Sequence, residues 1–158
     1  MSKVLVAYYT RTGNTKKMAQ RVAEGARDAG GEVDLKSVED VDVDDLPDYD
    51  ALIIGSPTYY GQMSWEVKKL FDDSVKYQGE LEGMVGGAFS SSANMGGGNE
   101  TTVMSILEAM LIHGMIIRGT STGDHYGPTT VAGPEDRAQQ QCRELGERVT
   151  KLADTVRG

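Results

Sequence analysis

Val4-Leu5-Val6-Ala7-Tyr8-Tyr9-Thr10-Arg11-Thr12-Gly13-Asn14-Thr15 is the stretch whose reading decides the fold. Val4 to Tyr8 is a short, nearly continuous apolar run, the pattern of a parallel strand covered on both faces. Beyond it Met18, Val22 and Ala26 recur at i, i+4 and i+8, which predicts a helix from about Asn14 to Ala29, ended by Gly30-Gly31. Between strand and helix lies a turn of hydroxyls and one glycine. A strand that feeds a helix through such a turn points free backbone N–H groups at an anion. Thr10, Thr12 and Thr15 add hydroxyl donors, Gly13 lets the backbone curl, and Arg11 is the one cation of the loop. A dianionic monophosphate fits these neutral donors and the helix dipole. Two other phosphate loops fail on residues: no Gly-Lys-Ser/Thr closes a Walker loop, and one glycine does not make G-x-G-x-x-G.

The same alternation continues outward. Glu32 to Lys36 reads as a second strand, Ala51 to Gly55 as a third, Met84 to Phe89 as a fourth and Met115 to Ile117 as a fifth. Helices fall between them: one from an N-cap at Ser64 to about Ser74, and one from Glu100 with Val103, Ile106, Leu107, Met110 and Leu111 in stripe. A last helix begins near Pro134 and carries Leu145, Val149, Leu152 and Val156. Five strands separated by helices predict an α/β doubly wound sandwich over residues 1–158, a single domain with a parallel five-stranded sheet in the order 2-1-3-4-5 and helices on both faces. The ligand crevice of that topology lies outside the carboxyl ends of strands 1 and 3.

Composition bounds the function. The 158 residues suffice for one core without staples, and 39% hydrophobic with 25% charged residues is the ordinary balance of a soluble domain. The single cysteine, Cys142, excludes an internal disulfide, and no Cys/His cluster has zinc spacing. No apolar stretch reaches membrane-span length and no secretory pattern opens the chain, so a cytoplasmic setting is expected. A net charge of −8 argues against nucleic acid as a partner. Much of the excess sits in Glu39-Asp40-Val41-Asp42-Val43-Asp44-Asp45, with Asp48 and Asp50 behind. That run is a solvated face, a docking patch for a basic redox partner, or an adaptation to salt.

Two further loops fall at the predicted crevice. Pro57-Thr58-Tyr59-Tyr60-Gly61 puts adjacent aromatics at the end of a central strand, where they could stack on a flat ring, and Gly61 allows close backbone approach. Ser91-Ser92-Ala93-Asn94-Met95-Gly96 leaves backbone donors and acceptors free for a polar ring edge.

Together the loops resemble the flavodoxin superfamily, whose phosphate loop reads T-x-T-G-N-T, and within it the tryptophan-repressor-binding-protein type of NAD(P)H:quinone oxidoreductase. Pro57-Thr58-Tyr59-Tyr60-Gly61-Gln62-Met63-Ser64 is similar to that branch's P-T-R-F-G-N-M-S. Gly96 to Thr101 is similar to its G-G-G-Q-E-T, and Tyr126 to Gly133 to its Y-G-A-T-T-I-A-G. The resemblance implies FMN as cofactor, held at its phosphate by Thr10 to Thr15, along its ring by Thr58, Tyr59 and Tyr60, and at its pyrimidine edge by Ser91 to Gly96. It places His113, in His113-Gly114-Met115, at the flavin site, and makes His113 and Tyr126 the expected hydrogen-bond partners of a quinone oxygen, with His125 at the same mouth. NAD(P)H would supply hydride and a quinone remove it. A flavodoxin that carries electrons to a larger redox protein is the alternative. Family members assemble, so a homodimer or homotetramer is expected. Three departures stand out: shortened segments between strands two and three and after strand five, Tyr59 in place of an arginine, and no counterpart to the family's ring-stacking tryptophan.

Overall fold

A computed structural model describes all 158 residues. Six strands are present: β1 (Lys3–Tyr8), β2 (Glu32–Ser37), β3 (Ala51–Pro57), β4 (Val85–Ser92), β5 (Ile116–Ile117) and β6 (Thr129–Val131). Four helices accompany them: α1 (Asn14–Asp28), α2 (Trp65–Asp73), α3 (Asn99–Ile112) and α4 (Asp136–Arg157). All pairings in the sheet are parallel, in the order β2-β1-β3-β4-β5, as the alternation of strand and helix signals predicts.

The fifth position departs from expectation. It is divided between β5, beside Val85 and Gly86, and β6, beside Ser90 to Ser92, with residues 118–128 looping out between them. The loop returns where Gly127 presses on β4: a Cβ there would stand 2.0 Å from the Ala88 carbonyl oxygen. Strand β4 is also longer than its sequence suggests, because Ser90, Ser91 and Ser92 pair with β3 and β6 rather than opening the following loop.

Strand alternation builds two cores. Val4, Val6, Ala51 and Ile53 face α1 and α4, with Met18, Val22, Leu145 and Val149. Leu5, Ala7, Leu52 and Ile54 face α2 and α3, with Val67, Leu70, Ile106 and Met110. Cys142 lies wholly inside the first core, where burial pushes its thiol up to about 12, so it is an inert packing group.

Much of the acidic run has local work. Ser37 and Asp42 cap the short 3-10 turns that follow β2, Asp44 accepts from the Tyr77 hydroxyl at 2.8 Å, and Asp50 accepts from the Lys3 amide at 2.7 Å. No helix is long and apolar enough to cross a membrane.

Candidate functional site

The carboxyl ends of β1, β3 and β4 open into a cleft of about 640 Å³, lined by Arg11, Thr12, Asn14, Thr15, Pro57, Thr58, Tyr59, Ser91, Ser92, Ala93 and Ala132. That volume lies in the ordinary range for small-molecule sites. The three loops singled out in the sequence meet here, at the point where the winding of the sheet reverses.

One wall is the turn before α1. Gly13, at φ +100°, caps the helix with left-handed backbone that a side chain would strain, and its amide donates to Thr10 Oγ1 at 3.0 Å. The first helical bond runs from Lys17 N to the Gly13 carbonyl at 3.1 Å. The amides of Asn14, Thr15 and Lys16 therefore precede the ladder and point out of the helix end. Thr15 is buried, and its hydroxyl meets Ser91 Oγ at 3.0 Å, bracing this turn against β4. Thr12 and Arg11 are exposed at the mouth.

The second wall is a hairpin. Tyr59 and Gln62 exchange both backbone hydrogen bonds at 3.1 Å, so Tyr60 (φ +52°) and Gly61 (φ +73°) form a two-residue turn with both residues left-handed. Tyrosine in that conformation is strained, and the turn sets the Tyr60 ring fully in solvent while Tyr59 lines the cleft. Such strain belongs to functional loops, where it is balanced by surrounding contacts. Those contacts are visible: Gly61 packs so closely on Gly98 that a Cβ at Gly98 would stand 2.8 Å from the Gly61 Cα. Thr58 is tied to β4 through its amide to the Ser91 carbonyl at 2.8 Å and its hydroxyl to Ser90 Oγ at 3.0 Å.

The third wall starts at Ser91 and Ser92. Ser92 Oγ donates to the Asn94 carbonyl at 3.0 Å and accepts from Asn99 Nδ2 at 3.1 Å, which fixes the loop base. Ala93 lines the cleft, whereas Asn94, Met95 and Gly96 form an exposed rim, with Met95 90% exposed.

Ala132 is a wall residue that reading the sequence missed. It has φ +61°, and its amide donates to the Ser92 carbonyl at 2.8 Å. The β-branched run Thr129-Thr130-Val131 was the available signal for β6, which delivers Ala132 to the cleft.

Tyr126 lies at the same end of the sheet, half exposed, in an adjoining depression with Glu100, Val103, Asp124 and His125. His125 uses Nδ1 on the Thr120 carbonyl at 2.9 Å.

The chain does not bring His113 to the cleft. It follows α3 and precedes β5, which pairs with the first residues of β4, six positions or about 20 Å below Ser91. Its side chain is 6% exposed and bonds Ser74 Oγ at 2.7 Å. Ser74 donates its own proton to the Phe71 carbonyl at 2.7 Å, so His113 Nε2–H is the donor and Nδ1 is left as a buried acceptor without a partner. Burial holds the His113 pKa below its ordinary value. A lowered folded-state pKa means the unfolded chain binds the proton first, so stability present above about pH 6.5 is lost as pH falls from there toward the folded-state value. Between pH 7.5 and 5.5 the unfolding free energy read from urea titrations is expected to fall further for the native sequence than for His113→Gln, by up to about 1.4 kcal/mol.

Free amides and hydroxyls at a helix start, a tyrosine face beside them and unpaired loop backbone opposite fit a phosphate at one end of the cleft and a flat polar ring at the other. A doubly wound α/β protein with a phosphate-and-ring cleft at its switch point is the class that the fold and these walls define. The chain belongs to the flavodoxin family, whose model, described as Flavodoxin, matches residues 6–150. It is 44% identical over 160 residues to a flavodoxin of Aquifex aeolicus, an alignment spanning 96% of this chain and 86% of that one. It is also 37% identical over 194 positions to an NAD(P)H dehydrogenase (quinone) of Caulobacter vibrioides, spanning 99% of this chain and 98% of that one. Since 194 positions exceed this chain's 158 residues, that relative carries segments absent here. Among solved structures, the WrbA-like flavodoxin of Agrobacterium tumefaciens superposes with a TM-score of 0.83 at 29% identity, covering 98% of this chain and 99% of that one.

Proposed function

We propose that the chain binds FMN in this cleft and passes hydride from a nicotinamide nucleotide to a quinone-type acceptor. The observation that carries the reading is the open helix start at Asn14 to Lys16, set beside Tyr59 in one cleft. FMN would supply the redox chemistry there, as a carrier able to accept a hydride from the nucleotide and to return two electrons to the quinone together with two protons, one originating in the hydride and one drawn from solvent. The chain's own residues position it. Thr10, Thr12, Asn14 and Thr15 hold the phosphate with neutral donors, and Arg11 adds one charge at the mouth. Pro57, Thr58 and Tyr59 line one side of the ring, with Tyr60 and Gly61 shaping the hairpin beyond. Ser91, Ser92 and Ala93 face its polar edge. Tyr60, Met95 and Tyr126 leave large side chains exposed at this end of the sheet, a rim suited to a planar apolar acceptor, with the Tyr126 hydroxyl as a hydrogen-bond donor to it. His113 stays outside this set, as a neutral core histidine. The relatives named NAD(P)H dehydrogenase (quinone) support the enzyme reading, and Val75, Leu111 and Ile112, exposed along a groove between α2 and α3, offer an apolar surface for a homodimer or homotetramer.

The flavodoxin of Aquifex aeolicus and the acid-lined groove beside exposed Trp65 favour a second reading, an electron carrier that docks on a basic redox protein. Anaerobic mixing separates the two. For the enzyme, NADH or NADPH bleaches the flavin band within seconds and a benzoquinone restores it within the same mixing series. A flavin that neither nucleotide bleaches, yet dithionite reduces in two resolved one-electron steps, identifies the carrier.

A further inference from the structure

The nicotinamide donors differ by one phosphate on the adenosine ribose, and that group carries about −1.5 to −2 charge at neutral pH. A protein that selects for it presents an uncommitted cation, most often a fork of arginine donors. The distribution of cations at the carboxyl end of the sheet is one-sided. Arg11, Lys16 and Lys17, none of them in an ion pair, all flank the turn before α1, where the phosphate of FMN sits in the reading above.

On the ring side every cation is already matched. Lys68 pairs with Asp72 at 2.6 Å, Lys69 with Asp73 at 2.5 Å, and Lys76 with Asp44. Arg137 spans Asp124 at 3.1 Å and Glu135 at 3.0 Å while also bonding the Thr129 carbonyl. Lys36 lies on the edge strand β2, separated from β3 and its hairpin by β1. Arg118 and Arg148 stand beside β5, toward the far end.

The unmatched charges on the ring side are acids. Glu39 and Asp40 line one groove with Glu66, which occupies the first turn of α2, and Glu100 occupies the first turn of α3. One oxygen of Glu66 is buried without a partner. Burial, helped by Glu66 and Glu39, holds the Tyr9 hydroxyl above its ordinary pKa. The net charge of −8 adds a long-range field of the same sign.

Resting on the dehydrogenase reading of the cleft, we propose that the electron donor is NADH, the dinucleotide without the 2′-phosphate, and that NADPH is turned away by charge. The acids around the ring end repel the extra phosphate, and no free cation there receives it. Because the discrimination is electrostatic, it weakens with ionic strength.

The test uses the FMN-loaded protein in anaerobic stopped flow, with NADH and NADPH at about 20 and about 300 mM NaCl, a range over which the screening length shortens severalfold. The second-order rate of flavin bleaching by NADH is expected to exceed that by NADPH about tenfold or more at low salt, and the gap is expected to narrow at least about twofold at high salt. Glu100→Lys, at an exposed position outside the cleft wall, is expected to raise the NADPH rate about threefold more than the NADH rate. Equal rates, or faster reduction by NADPH, overturn selection by charge and leave the dehydrogenase reading standing. A preference for NADH that ignores both salt and Glu100→Lys overturns it equally. Bleaching by neither nucleotide overturns both.

Discussion

Gly146→Ala is expected to cost about 3 kcal/mol of stability, although alanine in a helix interior ordinarily gains up to about 1 kcal/mol over glycine. The sign of the change therefore decides between local propensity and packing. At the crossing of α1 and α4 the two backbones touch. A Cβ on Gly146 would stand 2.0 Å from the Val22 carbonyl oxygen, and one on Gly25 would stand 2.0 Å from that of Arg143. These obstacles are backbone, not flexible side-chain tips, so the helices must separate. Separation loosens the seam of Val22, Ala26, Leu145 and Val149, all buried on the same face of the sheet. Urea unfolding followed by far-UV circular dichroism measures the effect, and an unchanged or raised midpoint would show that the crossing is looser than drawn.

The second large effect is on cofactor binding. Thr12→Asp is expected to weaken FMN binding about 30- to 100-fold while leaving the fold intact. Thr12 is exposed at the cleft mouth, so the substitution disturbs no packing. A carboxylate about 4 Å from the phosphate would cost about 4 kcal/mol per unit of phosphate charge at an effective dielectric of 20. Solvent and salt reduce that to about 2–3 kcal/mol, which corresponds to the stated loss. Thr12→Ser keeps the hydroxyl and is expected to bind within a factor of about three, since the donor itself is retained. Fluorescence titration of the apoprotein reads both variants, and an unchanged affinity for Thr12→Asp would remove the loop from the phosphate's surroundings.

Sheet order was legible because apolar runs such as Val4 to Ala7 and Ala51 to Ile54, alternating with segments of helical period, read as doubly covered parallel strands. The three loops were legible for a related reason: each interrupts that periodicity with residue types that serve no core. The divided fifth strand was not, since β5 and β6 are two and three residues long and their pairing depends on Gly127 fitting against Ala88, a contact distant in sequence. Ala132 escaped notice with it. The Tyr60-Gly61 turn was half legible: the glycine signalled close approach, but nothing local foretold a tyrosine held at positive φ. His113 shows the reverse error of scale. A short motif placed it at the flavin, whereas the length of α3 carries it to the opposite end of the sheet, onto Ser74.

The most direct test of the central claim, that the turn from Thr10 to Thr15 selects a flavin by its phosphate, is a paired titration of the apoprotein with FMN and with riboflavin. FMN is expected to bind one to one, with riboflavin at least about 100-fold weaker, a difference of about 2.7 kcal/mol supplied by the phosphate alone. Equal affinity for the two, or binding of neither, would contradict it.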